Sequence, residues 1–194
     1  DLGGGTFDVT VMRITDGRID VVATDGDHAL GGFDFDNKVM QLFAQTFYQQ
    51  TGLSLEDDPN LLQDLREKSE AAKKTLSSRN KVTQFFSAGG QSCRIELSRE
   101  QFDQITADLI GRTETLLEIV LDDAHMTWQD IDKVLMVGGS IRIPAVQEMV
   151  RRVSGKAFDM SVNPDECVAM GAAIEATMAV PHTDVIAHAL GIVL

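Results

Sequence analysis

The chain opens on Asp1-Leu-Gly-Gly-Gly-Thr-Phe-Asp-Val-Thr10, three consecutive glycines between an acid and a threonine, and runs at once into the alternating segment Val9-Thr-Val-Met-Arg-Ile14. Adjacent glycines let the backbone turn tightly and approach a ligand closely, and their N–H groups can converge on phosphate oxygens. A P-loop would place its glycines before a helix and end in Lys-Ser/Thr. Here strand alternation follows and no lysine does, so a phosphate would be held in a β-hairpin, with Thr6 offering a hydroxyl. Asp1 and Asp8 bracket the turn, where hydrated cations can sit. The plainer alternative is a tight hairpin with no ligand. A domain does not normally start on such a turn, because the strand leading into it is absent. The chain is therefore expected to be a piece of something longer.

Bulk properties limit the partners. The 194 residues suit one large domain or two small subdomains, and 43% hydrophobic content is enough for a real core. The net charge of −13 argues against nucleic acid and anionic membranes, which both need a basic footprint. It does not argue against a phosphate ligand, because local N–H groups and cations decide affinity inside a screening length of roughly 8 Å. Cys93 and Cys167 lie in no metal-ligand spacing and read as reduced thiols of a cytoplasmic protein. No His-x-x-x-His pair is present, nor a signal peptide, nor an apolar stretch of about 18 residues.

Patterning predicts a mixed α/β chain. Residues 8–32 read as a β-meander turning at Asp16-Gly17, with Ile19–Ala23 as its second strand. Residues 33–50 form a helix with Phe35, Val39, Leu42, Phe43, Thr46 and Phe47 on one face. Asp58-Pro59 opens a second helix with Leu62, Leu65, Ser69, Ala72 and Leu76 inward. Lys81–Ser87 and Ser92–Leu97 form a hairpin, and the capping box Ser98-Arg-Glu-Gln101 starts one helix running to about Leu121. Lys133–Val137 reads as a strand buried on both faces, inside a sheet flanked by helices. Pro144 opens a helix to about Ser154. Asn163-Pro164 opens another, whose Ala169, Gly171, Ala172, Ala173 and Ala176 suit close packing, and Pro181 stops it. Ala187–Leu194 reads as a further strand. The pieces 1–30 and 122–180 form one layer, with a smaller α+β lobe, 31–121, inserted between them.

Two further constellations join the opening loop. Gly138-Gly139-Ser140-Ile-Arg142 follows an apolar strand and precedes a helix, and ligands tend to bind at the carboxyl ends of strands in open α/β sheets. Glycines allow close approach there, and the planar Arg142 guanidinium can stack on a base. On the second helix, Glu70, Lys73, Lys74 and Ser77 share one stripe at i, i+3, i+4, i+7 spacing, able to line a cleft and meet a ribose or base edge. Read singly, the first is also a plain strand–helix connection and the second a solvated face of i,i+4 pairs.

Taken together, Asp1–Thr10, Leu30-Gly-Gly-Phe-Asp-Phe-Asp36, Glu70–Ser78, Val134-Leu-Met-Val-Gly-Gly-Ser-Ile-Arg-Ile-Pro144 and Asn163-Pro-Asp-Glu-Cys-Val-Ala-Met-Gly-Ala172 resemble the nucleotide-binding domain of the seventy-kilodalton heat-shock (DnaK-type) chaperones. These belong to the actin-like ATPase superfamily. The segments occur in family order over nearly the whole chain. The resemblance implies an α/β, ribonuclease H-like lobe, the second of that domain. Residues 1–30 and 122–180 would be its large subdomain, 31–121 the small inserted one, and 181–194 the start of an interdomain linker or next strand.

It further implies ATP or ADP as ligand. Gly3, Gly4, Gly5 and Thr6 would hold phosphates, with Gly32 a hinge glycine facing the nucleotide. Glu70, Lys73, Lys74 and Ser77 would contact the nucleoside. Gly138, Gly139, Ser140 and Arg142 would complete the adenosine pocket, with Asp165 nearby. Thr6, Asp1 and Asp8 would be the catalytic set, the two acids binding hydrated magnesium and a monovalent cation such as potassium. Implied partners are a first lobe and a peptide-binding domain of the same protein, unfolded peptides, a nucleotide exchange factor and a J-domain co-chaperone. The chain alone is expected to lack turnover, because the first lobe supplies much of the catalytic charge.

Four departures stand out. Phe33 occupies a position where the family commonly has an acid, and Ile141 replaces a usual threonine. Lys74 stands where some relatives have arginine, and Asp184–Gly191 replaces a leucine-rich linker. Two rival readings remain: a non-chaperone actin-like module, and a sugar or acetate kinase lobe of the same superfamily.

Overall fold

The computed structural model describes residues 1–16, 18–159, 163–164 and 166–177. Gly17, Asp165, the Pro181 stop and the predicted strand at Ala187–Leu194 lie outside the described residues. Strand β1 (Phe7–Thr15) and strand β2 (Arg18–Asp27) form an antiparallel hairpin, with a register shift between Val11 and Met12. Helix α1 (Gly32–Thr51) follows and buries Phe35, Val39, Phe43, Ala44 and Phe47, and Gly52 ends it in the left-handed region. Helix α2 (Pro59–Leu76) starts where expected: Asp58 accepts from the N–H groups of Asn60 and Leu61, and Pro59 loses no needed donor in the first turn. It packs on α1 through Leu65, Ser69, Ala72 and Leu76, all buried.

Strands β3 (Lys81–Ala88) and β4 (Gln91–Ser98) form the second hairpin, through Gly89 and Gly90 at positive φ. Phe43 of α1 meets Phe86 of β3 with ring centroids 5.4 Å apart, and Phe35 meets Phe102 at 6.3 Å. Ser98 caps helix α3 (Arg99–Ile105) with the reciprocal Gln101 bond of a capping box.

The expected single helix from Ser98 to Leu121 is two. Thr106 leaves helical geometry at φ −108°, ψ 5°, while its hydroxyl donates to the Phe102 carbonyl at 2.8 Å. Helix α4 (Ala107–Asp123) restarts beyond it. The break lets the two segments serve different neighbours. Helix α3 stays on β4 and α1, whereas α4 lies across β1 and β2 and against α5 (Pro144–Ser154). Val11 and Ala23 of the hairpin pack there with Val120 and Leu121 of α4. Arg152 of α5 pairs with Glu114 of α4 (2.6 Å), and Lys38 ties α1 to Asp108 of α4 (2.7 Å).

The buried strand expected over Lys133–Val137 is corrected. Only Val134–Leu135 is regular strand (β5), paired in parallel with Phe158–Asp159 (β6). Burial alternates along the run: Met136 is buried, while Leu135 is 55% exposed. A continuous apolar run therefore covers one face here, and its other side chains are not enclosed. Among the described residues the pairings make three two-stranded sheets, and Leu2 links the first hairpin to the segment after β5, bridging to Phe7 and donating its N–H to the Val137 carbonyl at 2.9 Å.

Helix α6 (Cys167–Glu175) begins one turn after Asn163, whose carbonyl accepts from the N–H groups of Glu166 and Cys167. No residue of α6 is buried, and nothing described lies within 4 Å of where a Gly171 Cβ would stand. The close packing expected of its small residues is thus absent from the described contacts. Small side chains permit a close neighbour but do not supply one.

Candidate functional site: a cradle of glycine segments

The opening loop is a four-residue turn closed by an antiparallel bridge between Leu2 and Phe7. The Gly3 N–H donates to the Thr6 carbonyl at 3.0 Å, and Asp1 and Asp8 exchange both backbone hydrogen bonds, at 2.7 and 2.9 Å. Leu2 and Phe7 are buried and anchor the turn in the core, while Gly4, Gly5 and Thr6 are exposed at its tip. Nothing lies within 4 Å of the Cβ positions of Gly4 and Gly5, so the tip is open.

Two distant segments close on this turn through named bonds. The Gly32 N–H donates to the Gly3 carbonyl (2.9 Å) and the Phe33 N–H to the Gly4 carbonyl (2.8 Å), which fixes the first turn of α1 against the loop. Asp34 caps that turn by accepting from the Gly31 N–H at 2.8 Å. From the other side, the Ser140 N–H donates to the Leu2 carbonyl (3.1 Å) and the Ser140 hydroxyl to the Gly3 carbonyl (3.1 Å). Ser140 belongs to a 3-10 turn over Gly139–Arg142 and is itself buried.

Glycine is required where the segments touch. Gly138 holds φ 90° and ψ 153°, and a Cβ there would stand 2.4 Å from the Leu2 carbonyl oxygen. Gly31 has ordinary extended backbone, but its Cβ would meet Gly5 backbone atoms at 2.6 Å. At Gly32 a Cβ would approach the Ser140 hydroxyl at 2.8 Å and the Lys73 ammonium at 3.1 Å.

Of the α2 stripe, Lys73 is the member joined to the cradle. Its ammonium donates to the Gly32 carbonyl (2.9 Å) and to Asp36 Oδ2 (2.8 Å). Both side chains are largely enclosed, at 12% and 18% exposure. Burial pushes the Asp36 carboxyl above its usual range, and the Lys73 hydrogen bond and charge work against that rise. Glu70 and Lys74 instead pair with each other at 2.6 Å on the exposed face of α2, and the Lys74 hydrogen bond holds the Glu70 carboxyl below its usual range. The Ser77 hydroxyl reaches back to the Lys73 carbonyl at 3.4 Å. Arg142 is exposed at the end of its 3-10 turn. Asp165 lies outside the described residues.

Asp1 and Asp8 are exposed on the paired strands beside the turn. Asp8 Oδ2 accepts from the Thr6 hydroxyl at 3.0 Å, which ties the hydroxyl's orientation to that acid. Two exposed carboxylates offer hard oxygen donors suited to magnesium or an alkali cation that keeps most of its water. They are too few for an all-protein cage, and no group of three or more metal-ligating side chains occurs among the described residues. The donor set fits an outer-sphere ion.

Two cradle residues went unnoticed in sequence. Gly31 was visible only as part of a glycine pair. Asp36 had a readable sign: it stands on the inward α1 stripe, four residues after Gly32 and seven before Phe43, where an acid needs a partner. Two surface grooves lie elsewhere. One of about 500 Å³ is lined by Leu42, Thr46, Gln50 and Arg94, the other by Ile110, Pro144 and Arg151. Among the described residues, no helix is long and apolar enough to cross a membrane.

Comparison of the sequence with known proteins points to a family. A family model described as "Hsp70 protein" covers residues 1–192. The chain is 46% identical over 182 residues to heat shock 70 kDa protein 7, chloroplastic, of Arabidopsis thaliana, a match covering 91% of this chain and 25% of that protein. Heat shock 70 kDa protein 6, chloroplastic, of the same plant matches with the same identity and coverage. The chain thus spans about a quarter of the length of these relatives. By the family match over residues 1–192, this chain belongs to the Hsp70 family, whose fold is that of the actin-like ATPases.

Proposed function

We propose that the chain is the second lobe of a chaperone's ATP-binding domain, in a parent protein that couples ATP hydrolysis to binding of unfolded peptides. The observation that carries this reading is the bonded network Gly3–Gly32–Lys73 and Gly3–Ser140. It draws the glycine loop, the start of α1, the α2 stripe and the Gly138–Arg142 turn into one cradle. The open tip at Gly4, Gly5 and Thr6 offers N–H groups and a hydroxyl to the β- and γ-phosphates, an arrangement that stabilises anions without a basic surface. Glu70, Lys73, Lys74 and Ser77 would meet the nucleoside, with Gly139, Ser140 and Arg142 closing the base side and Asp165 nearby. Magnesium and a potassium-like cation would sit in outer-sphere contact with Asp1 and Asp8, offsetting phosphate charge.

In this reading, residues 1–30 and 122–180 form the large subdomain, 31–121 the small one, and 181–194 lead toward the linker. A facing lobe would close on the nucleotide, and exchange factors, J-domain co-chaperones and client peptides would act through the parent. The two free thiols, Cys93 and Cys167, support a reducing compartment, and cytoplasm is the one proposed. The two relatives' names place those proteins in chloroplasts.

Phosphoryl transfer depends on positioning and charge stabilisation from all sides. The 194-residue chain alone is therefore expected to bind ATP weakly and to hydrolyse it negligibly. In the whole protein, Thr6→Ala should slow turnover at least about tenfold, the size of one hydrogen bond to a charged group. A steady-state phosphate-release assay on both forms checks this. Turnover by the chain alone that Thr6→Ala abolishes, or an unaffected Thr6→Ala whole protein, would contradict it.

A further inference from the structure

We propose that Asp36 is a positioning residue that couples the nucleoside side of the cradle to its phosphate side through Lys73, an inference that rests on the nucleotide reading above. The geometry is a chain of four contacts. Asp36 Oδ2 accepts from the Lys73 ammonium at 2.8 Å, and the same ammonium donates to the Gly32 carbonyl at 2.9 Å. The Gly32 N–H then donates to the Gly3 carbonyl at 2.9 Å, and the Ser140 hydroxyl donates to that same carbonyl at 3.1 Å. Lysine carries three donors, so two are committed to the cradle and one is left for a ligand. Asp36 thus sets where that remaining donor stands.

Its carboxylate has no other task among the described residues. Oδ1 is buried without a hydrogen-bond partner, so Lys73 is what compensates the enclosed charge. Gly32 leaves no room for a side chain at this junction, because a Cβ there would stand 2.8 Å from the Ser140 hydroxyl and 3.1 Å from the Lys73 ammonium. A shift of α2 relative to α1 would draw Lys73 away from Asp36 and from the carbonyl of Gly32, the residue bonded to the phosphate loop. Lys73 contributes by fixing the distance between the α2 stripe and Gly3, in addition to any contact of its own with a nucleoside.

The test is a double-mutant cycle in the whole protein, reading ATP affinity by calorimetry with Asp36→Asn, Lys73→Met and both changes together. Melting curves confirm that each variant is folded at the assay temperature, and Lys73→Gln substitutes if Lys73→Met is not. Each single change is expected to weaken ATP about tenfold, and the pair no more than either alone, as for residues acting as one unit. Adenosine, which keeps any Lys73 contact but has no phosphate to be placed, should lose about threefold or less on Asp36→Asn. Penalties that multiply in the double variant, or an equal loss for adenosine, overturn the coupling while leaving the nucleotide site intact. Wild-type protein that binds no ATP overturns the nucleotide reading and this inference together.

Discussion

Gly138→Ala is expected to cost about 2–6 kcal/mol of stability, from about 1–3 kcal/mol of backbone strain and about 1–3 kcal/mol of overlap. The strain arises because φ 90° with ψ 153° lies in a region essentially reserved for glycine. The overlap arises because the added methyl would stand 2.4 Å from the Leu2 carbonyl oxygen and 2.5 Å from an Asp1 carboxylate oxygen. The exposed Asp1 carboxylate can rotate away, but the Leu2 oxygen cannot retreat cheaply. The Leu2 carbonyl accepts from Ser140, and Leu2 itself is 2% exposed in the core. A domain of this size holds roughly 5–15 kcal/mol in all, so the variant should unfold at much lower denaturant. Gly5→Ala is the matched control. Nothing lies within 4 Å of its Cβ position and its φ is not positive, so stability should change by less than about 0.5 kcal/mol. Urea unfolding of the two variants checks the contrast, and equal midpoints would show that Gly138 is not a contact point of the cradle.

Lys73→Met should cost about 2–4 kcal/mol at pH 7, below the full penalty for breaking a buried pair because both partners retain some exposure. The damage comes from leaving Asp36 charged, enclosed and alone. The sign of the pH dependence follows. Burial already raises the Asp36 pKa above its ordinary 3.8, and removing Lys73 takes away the hydrogen bond and charge that oppose the rise. The folded protein then holds its proton to higher pH than the unfolded chain. The penalty is full above the raised folded-state value and vanishes below 3.8, so acidification recovers stability relative to wild type. Denaturation at pH 7 and pH 5 reads the effect. The Asp36→Asn/Lys73→Met double variant should lose less than Lys73→Met alone, because no charge is left unpaired. A deficit that is constant with pH would mean that Asp36 is not the group left behind.

Much of the fold is legible because its punctuation is local. Asp58-Pro59, the Ser98–Gln101 capping box, the glycines at 89 and 90 and Gly52 each act within a few residues of themselves, and each does in the structure what its chemistry predicts. The inward stripes of α1 and α2 were readable for the same reason, since helical period alone sets them. The departures come from distant neighbours. Thr106 interrupts a pattern that otherwise continues, because α3 and α4 pack on different partners. The Lys133–Val137 run is apolar throughout, and only the surroundings decide that Leu135 faces outward.

The site divides in the same way. Two glycine segments, Gly3–Gly5 and Gly138–Gly139, are legible as places of close approach, Gly32 enters through the family resemblance, and the structure joins Gly3, Gly32 and Ser140 directly. What sequence spacing did not reveal is how the α2 stripe splits. Lys73 turns into the cradle toward a carboxylate 37 positions earlier, whereas Glu70 and Lys74 satisfy each other on the surface. An i, i+3, i+4 pattern places these residues on one stripe, but long-range partners determine which of them enters a site.

In the proposed function the glycine cradle receives the nucleotide. Amide NMR of the 194-residue chain titrated with magnesium-ATP tests it most directly, because weak binding still shifts the resonances it touches. Progressive, saturating shifts are expected at Gly3–Thr6, Gly31–Phe33, Lys73 and Gly139–Ser140. No shifts at millimolar nucleotide, or shifts confined to the groove of Leu42, Thr46, Gln50 and Arg94, would contradict it.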